Sequence, residues 1–155
     1  LIWQLIFGLK QKKLIMVIMA AFAFFSCESS NPKLVEFSQL PANAQSIIKT
    51  HFADKVISTI FYENDLFDKD YEVRFEDGSK IDFDGNGEWT NIEVKKNGGV
   101  PVGVIPSAIN SYVSSKHPNH YVIDIEKDCR EYNVELNNGI DMVFGKDGNF
   151  KRYDD

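Results

Sequence analysis

The chain has 155 residues, with 17 Lys and Arg against 23 Asp and Glu, a formal net charge of −6 at pH 7, and 43% hydrophobic residues. That is enough chain and apolar content for one globular domain with a core, and it excludes a disordered tail. The acidic balance excludes a surface built to hold a nucleic-acid backbone, because like charges repel. Two cysteines, Cys27 and Cys129, are too few for a disulfide scaffold and stand in unlike contexts, so no pairing is assumed.

Lys10, Lys12 and Lys13 precede an unbroken apolar run over residues 14–25, followed by Ser26 and Cys27. A positive end, a short hydrophobic segment and a small residue make the order of an export signal. The run is shorter than the roughly 20 residues that span a bilayer, which argues against a permanent transmembrane helix. Ser26 before Cys27 resembles a lipobox, although Phe24 and Phe25 stand where the common form has Leu and a small residue. The reading is a lipoprotein-type signal over residues 1–26 with lipid attached to Cys27, and simple secretion is the alternative. Residues 27–37 read as a tether.

The body of the chain repeats itself. Leu40-Pro41 aligns with Ile105-Pro106 at an offset of 65, pairing Ile48 with Val113 and Ile57 with Val122. The offset then falls to 61, where Tyr71, Val73 and Phe75 lie over Tyr132, Val134 and Leu136. Asp77-Gly78 matches Asn138-Gly139, and Gly87 matches Gly148. The four-residue difference falls within residues 64–70, where a turn is expected to absorb it.

Each copy changes period at the same place. Ala44, Ile47, Ile48 and Phe52 form a helical stripe after Pro41, and Ile109, Tyr112 and Val113 form another after Pro106, which predicts short helices over 41–52 and 106–116. Strict alternation follows. Strands are expected over 56–62, 71–76, 81–83 and 89–94, with counterparts over 121–125, 132–136, 140–144 and 150–153.

A single short helix on four strands buries too little apolar surface to offset its conformational entropy. Two units joined edge to edge share one core and remove two exposed edges. The expected architecture is therefore α+β, one curved eight-stranded antiparallel sheet over residues 38–155, with both helices on one face and units at 38–97 and 98–155. The other face would carry Glu72, Arg74, Glu76, Lys80, Asp82, Asn133, Glu135 and Asp141, and is the surface left for solvent or a partner.

The lipoprotein-type signal, the helix opened at a Leu/Ile-Pro pair, the Tyr-x-Val-x-[Phe/Leu]-x-[Asp/Asn]-Gly hairpin and the Gly-x-[Trp/Phe] turn, all in tandem, resemble the PepSY-like family of exported Bacteroidetes proteins. The resemblance covers residues 40–155. It implies a fold like that of β-lactamase inhibitor protein, and a role in binding or restraining a peptidase in the cell envelope, at the periplasm or outer membrane. It transfers no inhibitory residue and no catalytic one, and it implies no cofactor. The expected partner is a protein or peptide, with membrane contact only through the lipid.

One motif points to other chemistry. Asp82, Asp84, Asn86, Gly87 and Glu93 satisfy the spacing D-x-[DN]-x-[DN]-G-x5-E of a calcium loop. Such a loop belongs between two helices, whereas this one follows an alternating strand. The second copy keeps the glycine as Gly148 but places Gly145 opposite Asp84 and Lys146 opposite Gly85, so hairpin geometry explains the glycine better than Ca2+ does. A Ca2+-binding envelope module remains the alternative function. His51, His117 and His120 lack carboxylate or thiol partners at ligand spacing and read as helix-end residues, and Cys129 reads as an unreactive turn cysteine.

Overall fold

The structure is a computed structural model in which residues 32–65, 68–95 and 98–154 are described. The segment read as an export signal, and Cys27, lie outside the described residues. The elements follow the order read from the repeat, with one addition. They are β1 (Lys33–Leu34), a 3-10 turn (Phe37–Gln39), α1 (Ala42–His51), β2 (Ile57–Asn64), β3 (Lys69–Phe75), β4 (Lys80–Asp84) and β5 (Trp89–Glu93). The second unit has a 3-10 turn (Val102–Val104), α2 (Ser107–Lys116), β6 (Val122–Lys127), β7 (Glu131–Leu136), β8 (Asp141–Gly145) and β9 (Phe150–Asp154).

The strands form one antiparallel sheet in the order β1 to β9, and the sheet does not close. Nine strands stand where eight were expected. The extra one is β1, from the stretch read as a tether. Leu34 lies opposite Phe61, and Val35 N–H donates to Ile60 O at 3.0 Å. An otherwise unpaired stretch of β2 supplies these partners, and Val35 and Phe37 pack against the core.

The two units join where β5 meets β6, with Asn91, Ile92 and Glu93 opposite Glu126, Ile125 and Asp124. One register row then crosses eight strands, running Ile60, Val73, Ile81, Ile92, Ile125, Val134, Met142 and Tyr153. From Ile60 to Met142 each residue is 4% exposed or less. This row is the floor of a single core, and Ala44 and Ile48 of α1 with Ile109 and Val113 of α2 cover it. Tyr112 of α2 stacks on Phe150 at 4.5 Å and meets Phe144 edge-on at 5.5 Å.

The four-residue insertion does more than lengthen a turn. It extends the β2–β3 hairpin to Asn64 opposite Lys69, whereas β6–β7 ends at Lys127 opposite Tyr132. Extending both arms of a hairpin keeps every backbone group paired, so the insertion is accommodated in strand as well as loop. Bulges recur at equivalent places, Ile57/Thr59 with Val122/Asp124 and Asp82/Phe83 with Val143/Phe144, and such bulges bend strands and increase local twist.

Of the six hairpins within the units, all but β2–β3 and β6–β7 use one turn. Phe75 N–H donates to Ser79 O, Asp84 to Glu88, Leu136 to Ile140 and Gly145 to Asn149, each with a left-handed glycine at the fourth residue. Gly87 shows why the residue must be glycine. Its φ is +80°, and a Cβ there would come within 2.8 Å of both the Ala44 nitrogen and the Pro41 Cβ. The turn is thus the seat on which α1 rests, and Asn43 Nδ2 secures it by donating to Gly87 O at 3.1 Å and Glu88 Oε1 at 2.7 Å.

Candidate functional site: the outer sheet face

Side chains directly opposite one another in an antiparallel sheet share a face, so the register assembles the surface away from the helices. One row runs Thr59, Arg74, Lys80, Glu93, Asp124, Glu135, Asp141 and Asp154. Beside it runs Leu34, Phe61, Glu72, Asp82, Asn91, Glu126, Asn133, Val143 and Arg152. Seven of the eight residues expected on this face are in these rows. Glu76 lies one residue past β3, exposed, with its N–H donating to Val56 O.

The first row is polarised. Arg74 and Lys80 occupy the unit-one half, and Glu93, Asp124, Glu135, Asp141 and Asp154 follow one another across five strands. Part of this charge is matched locally. Lys80 Nζ lies 3.2 Å from Asp82 Oδ2, Arg74 pairs with Glu72, Glu93 pairs with Lys95, and Arg152 lies 3.7 Å from Asp154. The Arg74 guanidinium also sits over the Phe61 ring at 4.9 Å.

Two hollows open on the face. One of 440 Å³ is lined by Phe61, Glu72, Arg74, Asp82 and Thr90 among others, and one of 220 Å³ by Asp124, Asn133, Glu135, Asp141 and Asp154 among others. Burial pushes the Asp124 carboxyl up to about 6, against the hydrogen bond from Asn91, and Glu93, Glu135 and Glu126 add repulsion. Burial also raises Asp82, where Lys80 opposes the shift and Glu72 and Glu93 reinforce it. A cation arriving here would therefore lie beside carboxylates that the fold has partly stripped of water and crowded together.

The residues of the calcium motif are not brought together. Asp84 Oδ1 accepts from Asn86 N–H and Glu88 N–H, both at 2.9 Å, so it closes its own turn. Glu93 lies opposite Lys80, four residues along β4 from Asp84 and so roughly 13 Å away at strand spacing. Among the described residues no group of three or more His, Cys, Asp or Glu is placed to hold a metal ion. The motif corresponds to a strand, a hairpin turn and the next strand, which hold Asp84 and Glu93 apart.

The histidines also have separate surroundings. His51 packs over Gly103, His117 Nε2 lies 3.2 Å from Tyr153 Oη, and His120 Nδ1 lies 3.3 Å from Asn137 Oδ1. Cys129 is free and exposed in a turn that Asp128 closes by accepting from the Arg130 and Glu131 amides.

Several face residues escaped sequence reasoning. Phe61, Asn91, Asp124, Glu126 and Asp154 are absent from the expected set, and Glu93 is expected only as a calcium ligand. The missed signal is the bulge. Val122 and Ile125 both face the core three residues apart, so strict alternation misplaces the residues between them.

Comparison with known proteins agrees with this architecture. The family described as "Putative beta-lactamase-inhibitor-like, PepSY-like" matches residues 27–73 and 69–152 in two copies. The chain belongs to the PepSY-like family. A solved structure from Bacteroides vulgatus, described as a putative periplasmic protein of the DUF2874 family, is 39% identical over 81% of this chain and 98% of its own, with a TM-score of 0.76. Another from Bacteroides thetaiotaomicron, described as a putative calcium-regulated periplasmic protein, is 36% identical over 80% of this chain and 97% of its own, with a TM-score of 0.75. A third, described as a putative periplasmic protein of unknown function from Bacteroides vulgatus, is 31% identical over 81% of this chain and all of its own, with a TM-score of 0.73. No curated protein matches the chain.

Proposed function

We propose that this PepSY-like chain is exported to the periplasm, held to a membrane by lipid on Cys27, and acts without catalysis by binding a protein or peptide on its outer sheet face. The observation that supports this is the face itself. Both helices cover the opposite side, and the 440 and 220 Å³ hollows open among the charged side chains of the two rows. The excess of carboxylates on β5 to β9 favours a partner segment rich in Lys or Arg, and such complementarity speeds encounter and selects register more than it adds raw affinity. The family's likeness to a β-lactamase inhibitor supports restraint of a hydrolase, a peptidase in particular, as the consequence of binding. Periplasmic location rests on the descriptions of the structural neighbours.

The calcium reading has less support. One neighbour carries calcium in its description, but Asp82, Asp84, Asn86 and Glu93 do not converge in this chain.

The test is capture from envelope extract by the immobilised protein, beside the double variant Glu135→Lys, Asp141→Lys, followed by peptidase assays on what is captured. The proposal expects a partner retained by the parent, lost by the variant, and slowed in hydrolysis by stoichiometric addition of the parent. Retention that is indifferent to the two substitutions, or no retained protein, overturns it.

A further inference from the structure

The repeat makes one joint between its units, β5 against β6, and the chain carries both halves of that joint a second time. By the offset of 65, Asp124, Ile125 and Glu126 of β6 correspond to Thr59, Ile60 and Phe61 of β2. By the offset of 61, Asn91, Ile92 and Glu93 of β5 correspond to Arg152, Tyr153 and Asp154 of β9. A β9 from one copy set against β2 of another would therefore place Tyr153 beside Ile60, Arg152 beside Phe61 and Asp154 beside Thr59.

The two ends match in chemistry as well as register. The core row ends at Tyr153, which is 48% exposed, and begins at Ile60, so head-to-tail contact would make it continuous between copies. The outer row ends in Asp141 and Asp154 and begins with Thr59, Arg74 and Lys80, so an acidic end would meet a basic one.

Among the described residues only one of these ends is open. β9 is the last strand of the sheet among the described residues. The β2 end is occupied by β1, with Leu34 opposite Phe61 and Val35 bonded to Ile60, so Val35 stands where Ile92 stands at the internal joint. We propose that β1 is an edge plug that occupies the joining site of β2 and so keeps a second copy of this chain from docking its β9 there. The plug is short, but it belongs to the same chain, and a tethered strand competes at an effective concentration of roughly millimolar. Proteins commonly guard an open strand edge against this kind of pairing, and here the edge is dangerous because the fold itself is a tandem array.

The experiment uses the full chain expressed with its own export signal, carrying Cys27→Ser and Cys129→Ser, and measures mass by light scattering against concentration. The parent is expected to remain a single chain. Val35→Pro removes the amide that bonds Ile60 and is expected to raise the weight-average mass at least two-fold as concentration rises into roughly the hundreds of micromolar. Adding the exposed substitution Tyr153→Asp is expected to return it to one chain. Mixing Phe61→Cys and Arg152→Cys copies in the Val35→Pro background should give a disulfide-linked pair if the register is the internal one. Val35→Asp keeps the amide but charges the apolar row, and serves if Val35→Pro lowers the yield of folded protein. A folded Val35→Pro or Val35→Asp protein that stays a single chain, or association untouched by Tyr153→Asp, overturns the proposal.

Discussion

Asn91 Nδ2 donates to Asp124 Oδ1 at 3.1 Å across the joint between the two units. The bond links the last strand of one repeat to the first strand of the next, on the face opposite the helices. It also holds a carboxyl that burial and three neighbouring glutamates push up to about 6.

Asp124→Asn is therefore expected to stabilise the protein. The folded carboxyl has its pKa above the unfolded value of 3.8, so its ionisation costs stability at pH above 6, and that cost disappears as pH falls below 3.8. The Asn oxygen can still accept from Asn91. Urea unfolding should show a gain of about 1–3 kcal/mol at pH 7.5 that shrinks to nothing near pH 3.5. A variant less stable than the parent at pH 7.5 contradicts this.

The opposite sign is expected at the β3–β4 turn. Lys55 Nζ lies 2.5 Å from Asp77 Oδ2, Ser79 N–H donates to Asp77 Oδ1 at 2.9 Å, and the buried Ser79 Oγ accepts from Lys95 N–H at 3.2 Å. Burial raises the Asp77 carboxyl, but the bonds from Lys55 and Ser79 outweigh it and bring the carboxyl down to about 2. Its stabilising contribution is complete above 3.8 and is lost as pH falls towards 2. Asp77→Asn should cost about 1–2 kcal/mol at neutral pH, with the two proteins converging in acid. A constant difference down to pH 2 would mean that packing rather than charge is responsible.

Two glycines separate backbone strain from close approach. Gly139 has φ +78° and nothing within 4 Å of a Cβ, whereas Gly87 has φ +80° and a Cβ position 2.8 Å from α1 and its leading proline. Gly139→Ala should cost about 1–2 kcal/mol, the usual cost of a left-handed alanine, and Gly87→Ala about 3 or more because α1 must also lift. Thermal unfolding of the two variants checks the order. Equal losses would show that α1 yields without resistance.

Asp84→Ala tests the calcium motif directly. Asp84 closes its turn through two amides, so its removal should cost about 1 kcal/mol with or without Ca2+. If the parent gains stability with added Ca2+ and Asp84→Ala does not, the oxygen donors do converge on an ion in solution and the turn reading fails.

Much of the fold was legible because tandem copies check each other. The change in offset from 65 to 61, the two proline-led stripes and the paired Asp-Gly and Asn-Gly turns place Ala44 and Ile48 of α1, Ile109 and Val113 of α2, and Val73 and Val134 of the core row without a structure. The outer face was legible where alternation is regular, as at Glu72, Arg74, Asn133 and Glu135, and illegible where a bulge interrupts it. Asp124 is the clearest case. Counted from Val122 it would face the core, and the Val122/Asp124 bulge turns it outward. Phe61 was hidden for another reason, since an aromatic residue in a strand is ordinarily counted with the core, and this one lies on the outer face under Arg74.

The amino-acid order alone determined the duplication, the helix-plus-meander unit, the single core and the polar character of the free face, because period and turn chemistry act over a few residues and recur in both copies. Tertiary structure alone decided that Lys33 to Val35 join the sheet, that Asn91 meets Asp124, and that five carboxylates fall into one row. These depend on register between strands far apart in the chain, which pairing energies and bulges select only once the whole sheet is assembled.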